Sequence, residues 1–343
     1  MTATIGIGLI GFGNWPREAY VPVLRDCDQA QVVAVAARSD QTIAAAREAL
    51  RADFVEYRDY RDLLADERVD AVLVATPNAL HAEVACRALE AGKHVLVEGP
   101  FGESPEQASE LLDLAAELEA DGEQQLVFQG DFELGYIPVL HRVRQMLADG
   151  TLGRPLSVTA RLWCDWGLDG KAESPESTRI GFFVWTGPWY LQIVDVLIGK
   201  LPRRVSAHGI RALNGALMDH GWVSLDYGEN LVGRFEYSLL AAEGQAIEVE
   251  VVTTDGEARA DLNTGDLRWR TPRQPQWQSV RIPPAEPIAA FAGMRECLTS
   301  FLGAIADGGA VLADVAACRR LHQICFAAQR SADQESAVAL ADD

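Results

Sequence analysis

Lysine is almost missing from this chain. It stands at positions 93, 171 and 200, and arginine supplies the rest of the 30 basic residues. Chemistry that needs an ammonium acid or base has few places to find one. Positive charge as a whole is short, with 50 acidic residues setting the formal net charge at -20. That balance argues against nucleic acid or an anionic membrane as partner, and the spread of the acids along the chain reads as a solvated surface. No apolar run reaches the roughly 20 residues of a membrane-spanning helix. No basic segment precedes the first apolar run, so a cytoplasmic protein without a signal peptide is expected. The six cysteines, at 27, 86, 164, 297, 318 and 325, form no Cys-x-x-Cys pair, and the histidines do not join them at ligand spacing. No metal site is expected.

What the sequence does hold is alternation. A length of 343 residues suggests two domains rather than one core. "TIGIGLIGFG", "AQVVAVAARS", "FVEY", "VDAVLVATP" and "KHVLVEGP" read as strands, with helical segments such as "QTIAAAREAL" and "NALHAEVACRALEAG" between them. Nearly continuous apolar strands alternating with helices mean a parallel sheet covered on both faces. The expected fold is an α/β Rossmann-type doubly wound sheet over residues 1–122, then an α+β domain over 123–290. The texture changes near residue 155, where "PLSVTARLW", "RRVSAHGIRAL", "GWVSLDYG", "LVGRFEYSLLA", "AIEVEVVTTDG" and "EARADLN" follow one another as strands of a large, open, mostly antiparallel sheet. Closing helices take up 291–332 and a tail 333–343. An open sheet face commonly packs on another, so a homodimer or homotetramer through that sheet is expected.

Gly11-x-Gly13 follows a strand and precedes a helix, the setting that gives the dinucleotide fingerprint its meaning. Gly11 would make the tight turn and Gly13 would admit a pyrophosphate, with Asn14 and Trp15 beside it. Pro16 replaces the third glycine, and Trp15-Pro16 add bulk near the phosphate seat. About 20 residues on, where NAD-selective domains carry an acid for the ribose, this chain has Ala37, then Arg38 and Ser39. A guanidinium and a hydroxyl suit the 2′-phosphate of NADP; NADP is expected, with NAD the second choice.

The stretch "ATPNALHAEVACRALEAGKHVLVEGP" resembles the glucose-fructose oxidoreductase/inositol dehydrogenase (Gfo/Idh/MocA) family, and the resemblance extends through "ADGTLGRPLSVTA" and "FAGMRECLTSFLGAIADGG" to nearly the whole chain. It implies that Ala75, Thr76, Pro77 and Asn78 line the nicotinamide side, that His81 lies in the next helical turn, and that Glu98 and Pro100 flank the cofactor. The family's Glu-Lys-Pro is Glu98-Gly99-Pro100 here, without the lysine. Its Asp-x-Gly-x-His-x-x-Asp helix corresponds to a stretch in which, anchored on Asp195, the histidine becomes Gln192, the glycine Tyr190 and the first aspartate Pro188.

Oxidising an alcohol requires a base for its proton, and reducing a ketone requires an acid. Lys93 begins the strand that ends before Gly99, roughly 20 Å away at strand rise. Tyr190, Gln192 and Asp195 are the candidate catalytic residues, with Tyr190 first, and Tyr136, Asp131 and Glu98 are the remaining proton-bearing groups. The aromatic run "GFFVWTGPWYL" suits a flat or apolar small molecule better than a sugar. Three readings follow: an NADPH-dependent reductase of a conjugated or non-sugar substrate; a sugar or polyol dehydrogenase whose acid-base group lies elsewhere; and a non-catalytic ligand-binding or regulatory pseudo-dehydrogenase.

Overall fold

A computed structural model describes residues 4–122, 125–166, 175–213, 215 and 217–340. The chain divides into two compact units, Met1–Phe132 with Met294–Arg319, and Glu133–Gly293 with Arg320–Asp343.

The first unit is built on six strands: β1 (Ile5–Ile10), β2 (Ala30–Ala36), β3 (Val55–Tyr57), β4 (Ala71–Val74), β5 (His94–Glu98) and β6 (Phe128–Asp131), in the order β3-β2-β1-β4-β5-β6. Every pairing is parallel. Every residue of β1 and β4 is buried, the physical reason their sequences show no polar alternation. β6 lies past residue 122, where the first domain was expected to end. The strand order reverses between β1 and β4, and crevices that bind ligands open at the carboxyl ends of such a switch point. Ser104 caps the helix Pro105–Asp121 by accepting from the Gln107 N–H, with Pro105 at its first position.

The second unit carries nine strands: β7 (Pro155–Cys164), β8 (Arg204–Ile210), β9 (His220–Asp226), β10 (Val232–Ser238), β11 (Gln245–Thr253), β12 (Gly256–Asp261), β13 (Asp266–Thr271), β14 (Gln274–Arg281) and β15 (Val338–Ala339). Their order is β14-β13-β12-β11-β7-β10-β9-β8-β15. All neighbours are antiparallel except β7 and β10. Alternation sorts the two faces. Val158, Ala160, Leu162, Phe235, Tyr237 and Val249 point inward, while Arg161 pairs outward with Glu236 at 3.0 Å and Glu250 at 3.5 Å.

Three strands go beyond the sequence expectation. β14 is exposed at seven of its eight positions and lacks the apolar alternation by which strands are recognised, while β13 alternates only through Leu267 and Trp269, too short a run to stand out. The third, β15, is two residues long, falls in what reads as a tail, and pairs with β8.

The helix Gly187–Ile198 packs on β7 and β10. Nine of its twelve residues are buried, which makes it a core helix rather than an amphipathic surface one. Its Tyr190 ring stacks on Phe235 (5.8 Å, 6°), Phe235 on Tyr237 (5.8 Å, 11°), and Tyr237 on Phe182 (3.8 Å, 9°). Asp195, only 3% exposed, meets the Arg320 guanidinium through Nε at 3.2 Å and Nη2 at 3.0 Å. Removing one partner of such a buried pair strands the other charge. Arg320→Ala should therefore cost about 3–5 kcal/mol in urea denaturation; a loss under about 1 kcal/mol would show that Asp195 has another source of neutralisation.

Candidate functional site

The carboxyl ends of β1, β2, β4, β5 and β6 gather most of the expected cofactor residues within the first unit. At the end of β1, Gly11 has φ +88°, and a Cβ there would meet the Ala75 carbonyl oxygen at 2.3 Å. Glycine is therefore dictated by the chain itself. Gly13 differs: it has no positive φ, and a Cβ built on it would meet nothing within 4 Å. No protein atom stands against the missing side chain, so this turn is open on that side. Across the switch point, the Ala75 N–H donates to the Ile10 carbonyl at 2.9 Å. Thr76 Oγ1 is buried without a hydrogen-bond partner among the described residues, a state that costs about 1–3 kcal/mol unless something fills it. Pro77 and Asn78 form the turn into the short helix Asn78–Leu80.

At the end of β2, Arg38 is exposed and enters no ion pair among the described residues. Ser39 is occupied as a helix cap, accepting from the Thr42 N–H at 3.1 Å. Arg58, which sequence reasoning missed, reaches the same corner from beyond β3: it donates to the Ala37 carbonyl at 3.3 Å and pairs with Asp40. No local pattern marks it, because β3 and β2 meet only in the folded sheet. The open space at Gly13, the orphaned Thr76 hydroxyl and the exposed Arg38 together fit a dinucleotide.

Two expected cofactor residues have other work. His81 is wholly buried, its Nδ1 2.9 Å from the Pro100 carbonyl and its Nε2 2.6 Å from the Thr76 carbonyl. Burial pushes its imidazole below the usual range against the pull of those carbonyls. A neutral ring donates to one of the two carbonyls, so His81 packs between the loop after β4 and the loop after β5 with no surface left for a ligand. Trp15 is half-buried, with its indole turned toward β6. Its indole Nε1 donates to Asp131 Oδ2 at 2.8 Å, and Tyr20 donates to the same oxygen at 2.6 Å. Glu98, half-buried, stands opposite Asp131 in the β5–β6 register. The peptide between Gly99 and Pro100 is cis.

Lys93 Nζ donates to the carbonyls of Val69 at 2.7 Å and Asp66 at 3.2 Å, so it is held at the amino end of β5. Lys200 follows the helix Gly187–Ile198, and Lys171 lies outside the described residues.

Within the second unit, the candidate catalytic residues are all packed. Gln192 Oε1 accepts from the Gly135 N–H at 2.8 Å, and Asp195 holds Arg320. Tyr190 is 4% exposed; its oxygen accepts from Gln245 Nε2 at 3.1 Å. Its own O–H proton therefore finds no acceptor among the described residues. Burial, then the neighbouring Cys164 and Glu133, push this phenol well above its usual range.

Residues 5–121 match the family described as the oxidoreductase family with an NAD-binding Rossmann fold, and 140–259 match the GFO/IDH/MocA C-terminal domain. An uncharacterised oxidoreductase of Synechocystis is 33% identical over 191 residues, 55% of this chain and 45% of that protein. The levoglucosan dehydrogenase of Pseudarthrobacter phenanthrenivorans is 32% identical over 121 residues, 35% of this chain and 29% of its own. The matched stretch thus spans less than half of either relative. The crystal structure of an oxidoreductase domain protein from Kribbella flavida superposes with a TM-score of 0.86 at 22% identity, covering all of both chains.

Two predictions follow from this geometry. Gly11→Ala should destabilise the fold by about 2–4 kcal/mol, from strain and a backbone clash, whereas Gly13→Ala should stay within about 0.5 kcal/mol in the same denaturation experiment. Equal losses at both positions would remove the distinction drawn between them. Burial also holds the Asp131 carboxyl up at about 6, against the hydrogen bonds it accepts. Because that lies above the usual 3.8, folding favours the protonated form. The stabilisation is full below about pH 4 and is lost as pH rises through about 6. Asp131→Asn should flatten that part of the stability–pH curve, and an unchanged slope would assign it to other groups.

Proposed function

Given that the chain belongs to the GFO/IDH/MocA oxidoreductase family, we propose that it is an NADPH-dependent reductase of a small conjugated or otherwise non-sugar molecule. The observation that supports the cofactor half is the turn after β1, where Gly11 is fixed by the Ala75 carbonyl and Gly13 leaves open space two residues on. Gly11, Gly13 and Asn14 would receive the diphosphate, Thr76 would turn its hydroxyl to the nicotinamide half, and Arg38, with Arg58 beside it, would take the 2′-phosphate in place of a ribose-binding acid. The chemistry the cofactor supplies when bound is hydride transfer.

The substrate half rests on what the chain does with protons. Position 99 offers no ammonium group, Lys93 is tied to backbone carbonyls, and Asp195 and Gln192 are committed to Arg320 and Gly135. Tyr190 keeps a proton to give. Gln245 donates to its oxygen, which polarises the phenol toward donation, and burial keeps it protonated across ordinary pH. One weak acid of this kind suits an acceptor whose conjugation already spreads the developing charge.

A second reading, a sugar or polyol dehydrogenase, is favoured by the stretch shared with levoglucosan dehydrogenase. Titration followed by a turnover screen separates the two. NADPH should bind at least about tenfold more tightly than NADH, and Arg38→Ala should erase the difference, as loss of one charge-assisted contact would. Turnover with imines or tetrapyrroles and none with sugars supports the reductase, with Tyr190→Phe about a hundredfold slower. Sugar oxidation with NAD would instead establish the second reading, and binding of neither dinucleotide would sink both.

A further inference from the structure

Trp15 and Tyr20 are five residues apart, a spacing that a regular α-helix turns about 140° away from alignment. Here the segment Pro16–Tyr20 is a π turn that runs directly into the helix Val21–Arg25, and the Val21 N–H bonds back to the Pro16 carbonyl. Bonds of this i→i+5 kind bring the fifth residue back over its start. Pro22 gives the reason for the widening: it has no N–H, and in a regular helix its ring would crowd the Glu18 carbonyl. The outcome is that Trp15 and Tyr20 converge on one atom, Asp131 Oδ2, at 2.8 and 2.6 Å. Cys297 Sγ stands 3.9 Å from the other oxygen.

Asp131 and Tyr20 are both fully buried. The groups facing the carboxylate are Trp15, Tyr20, Cys297 and, from β5, Glu98, so no cation compensates it among these. Folding alone gives a poor account of this arrangement, because a buried carboxylate is costly and an apolar residue of similar volume is often neutral or better. The placement of its partners gives a better one. Trp15 follows Gly13-Asn14 directly, so the last strand of the sheet grips the turn that begins after the first.

We propose that Asp131 is a positioning residue for the dinucleotide: through Trp15 and Tyr20 it fixes where the Gly11–Asn14 turn presents its backbone to the cofactor diphosphate. This rests on the cofactor reading above. It adds a reason for the π turn, for the tryptophan in the fingerprint, and for a carboxylate placed where burial opposes it.

The experiment compares two ligands on four proteins. NADPH carries the diphosphate, and adenosine 2′-phosphate does not; if NADH is the tighter dinucleotide, it and adenosine take their places. Kd is measured by calorimetric titration for the wild type, Asp131→Leu, Asp131→Asn and Trp15→Phe. Leucine removes the acceptor, whereas the asparagine Oδ1 can still accept from both donors. Dinucleotide Kd should rise at least about tenfold in Asp131→Leu and Trp15→Phe, the worth of one charge-assisted bond, and stay within about threefold in Asp131→Asn. The diphosphate-free ligand should change by less than about twofold throughout. Equal weakening of both ligands would mean general damage and overturn the proposal, as would undiminished dinucleotide affinity in Trp15→Phe, which holds the test open should Asp131→Leu fail to fold. A wild type that binds no dinucleotide removes the cofactor reading itself, an outcome distinct from either.

Discussion

Where β1 ends, the backbone of Gly11 passes so near the Ala75 carbonyl that a single added carbon would sit 2.3 Å from its oxygen. The rest of the cofactor side depends on that approach. It lets Ala75 donate to Ile10, keeps β1 and β4 adjacent up to the point where the chain order reverses, and sets Gly13 and Thr76 just beyond their carboxyl ends. A side chain at residue 11 would push apart the two strands at which the order reverses. His81 secures the other margin by joining the loops after β4 and β5.

The same unit shows how a polar cluster can serve position rather than stability. Asp131 sits at the end of β6 in a place where burial favours its protonated form. Two donors from the first helix nonetheless meet on one of its oxygens, and they can do so only because that helix widens by one residue. The π turn ahead of Pro22 thereby sets the orientation of Trp15. Sequence reading treated Trp15 as an obstruction; the fold makes it a tether.

In the second unit the helix Gly187–Ile198 places its polar residues in a nearly dry core, and each is given a partner: Gln192 a backbone N–H, Asp195 a guanidinium, Tyr190 an amide donor. Buried polar groups persist when they are satisfied; Gln192 and Asp195 are paired, whereas Tyr190 has a donor to its oxygen and no acceptor for its O–H among the described residues. Tyr190 is the member of the set that still has a proton to give.

The architecture was legible because burial leaves periodic traces: continuous apolar strands for a covered parallel sheet, alternation for a half-covered antiparallel one, glycines at the first turn. β14 left no such trace for want of a buried face, and β13 and β15 left too little for want of length. Gly11, Gly13 and Arg38 could be named from local motif and spacing, and Thr76 from the family resemblance. Tyr20, Arg58 and Cys297 could not, since their partners lie 111, 21 and 166 residues away. By itself the sequence determined which segments are strands and helices and where a glycine turn would meet a dinucleotide, because those are matters of neighbouring residues. Only the tertiary structure decided that Trp15 faces inward, that His81 is a strut and that Asp195 is neutralised, because a side chain's role is set by what distant chain brings within hydrogen-bonding distance.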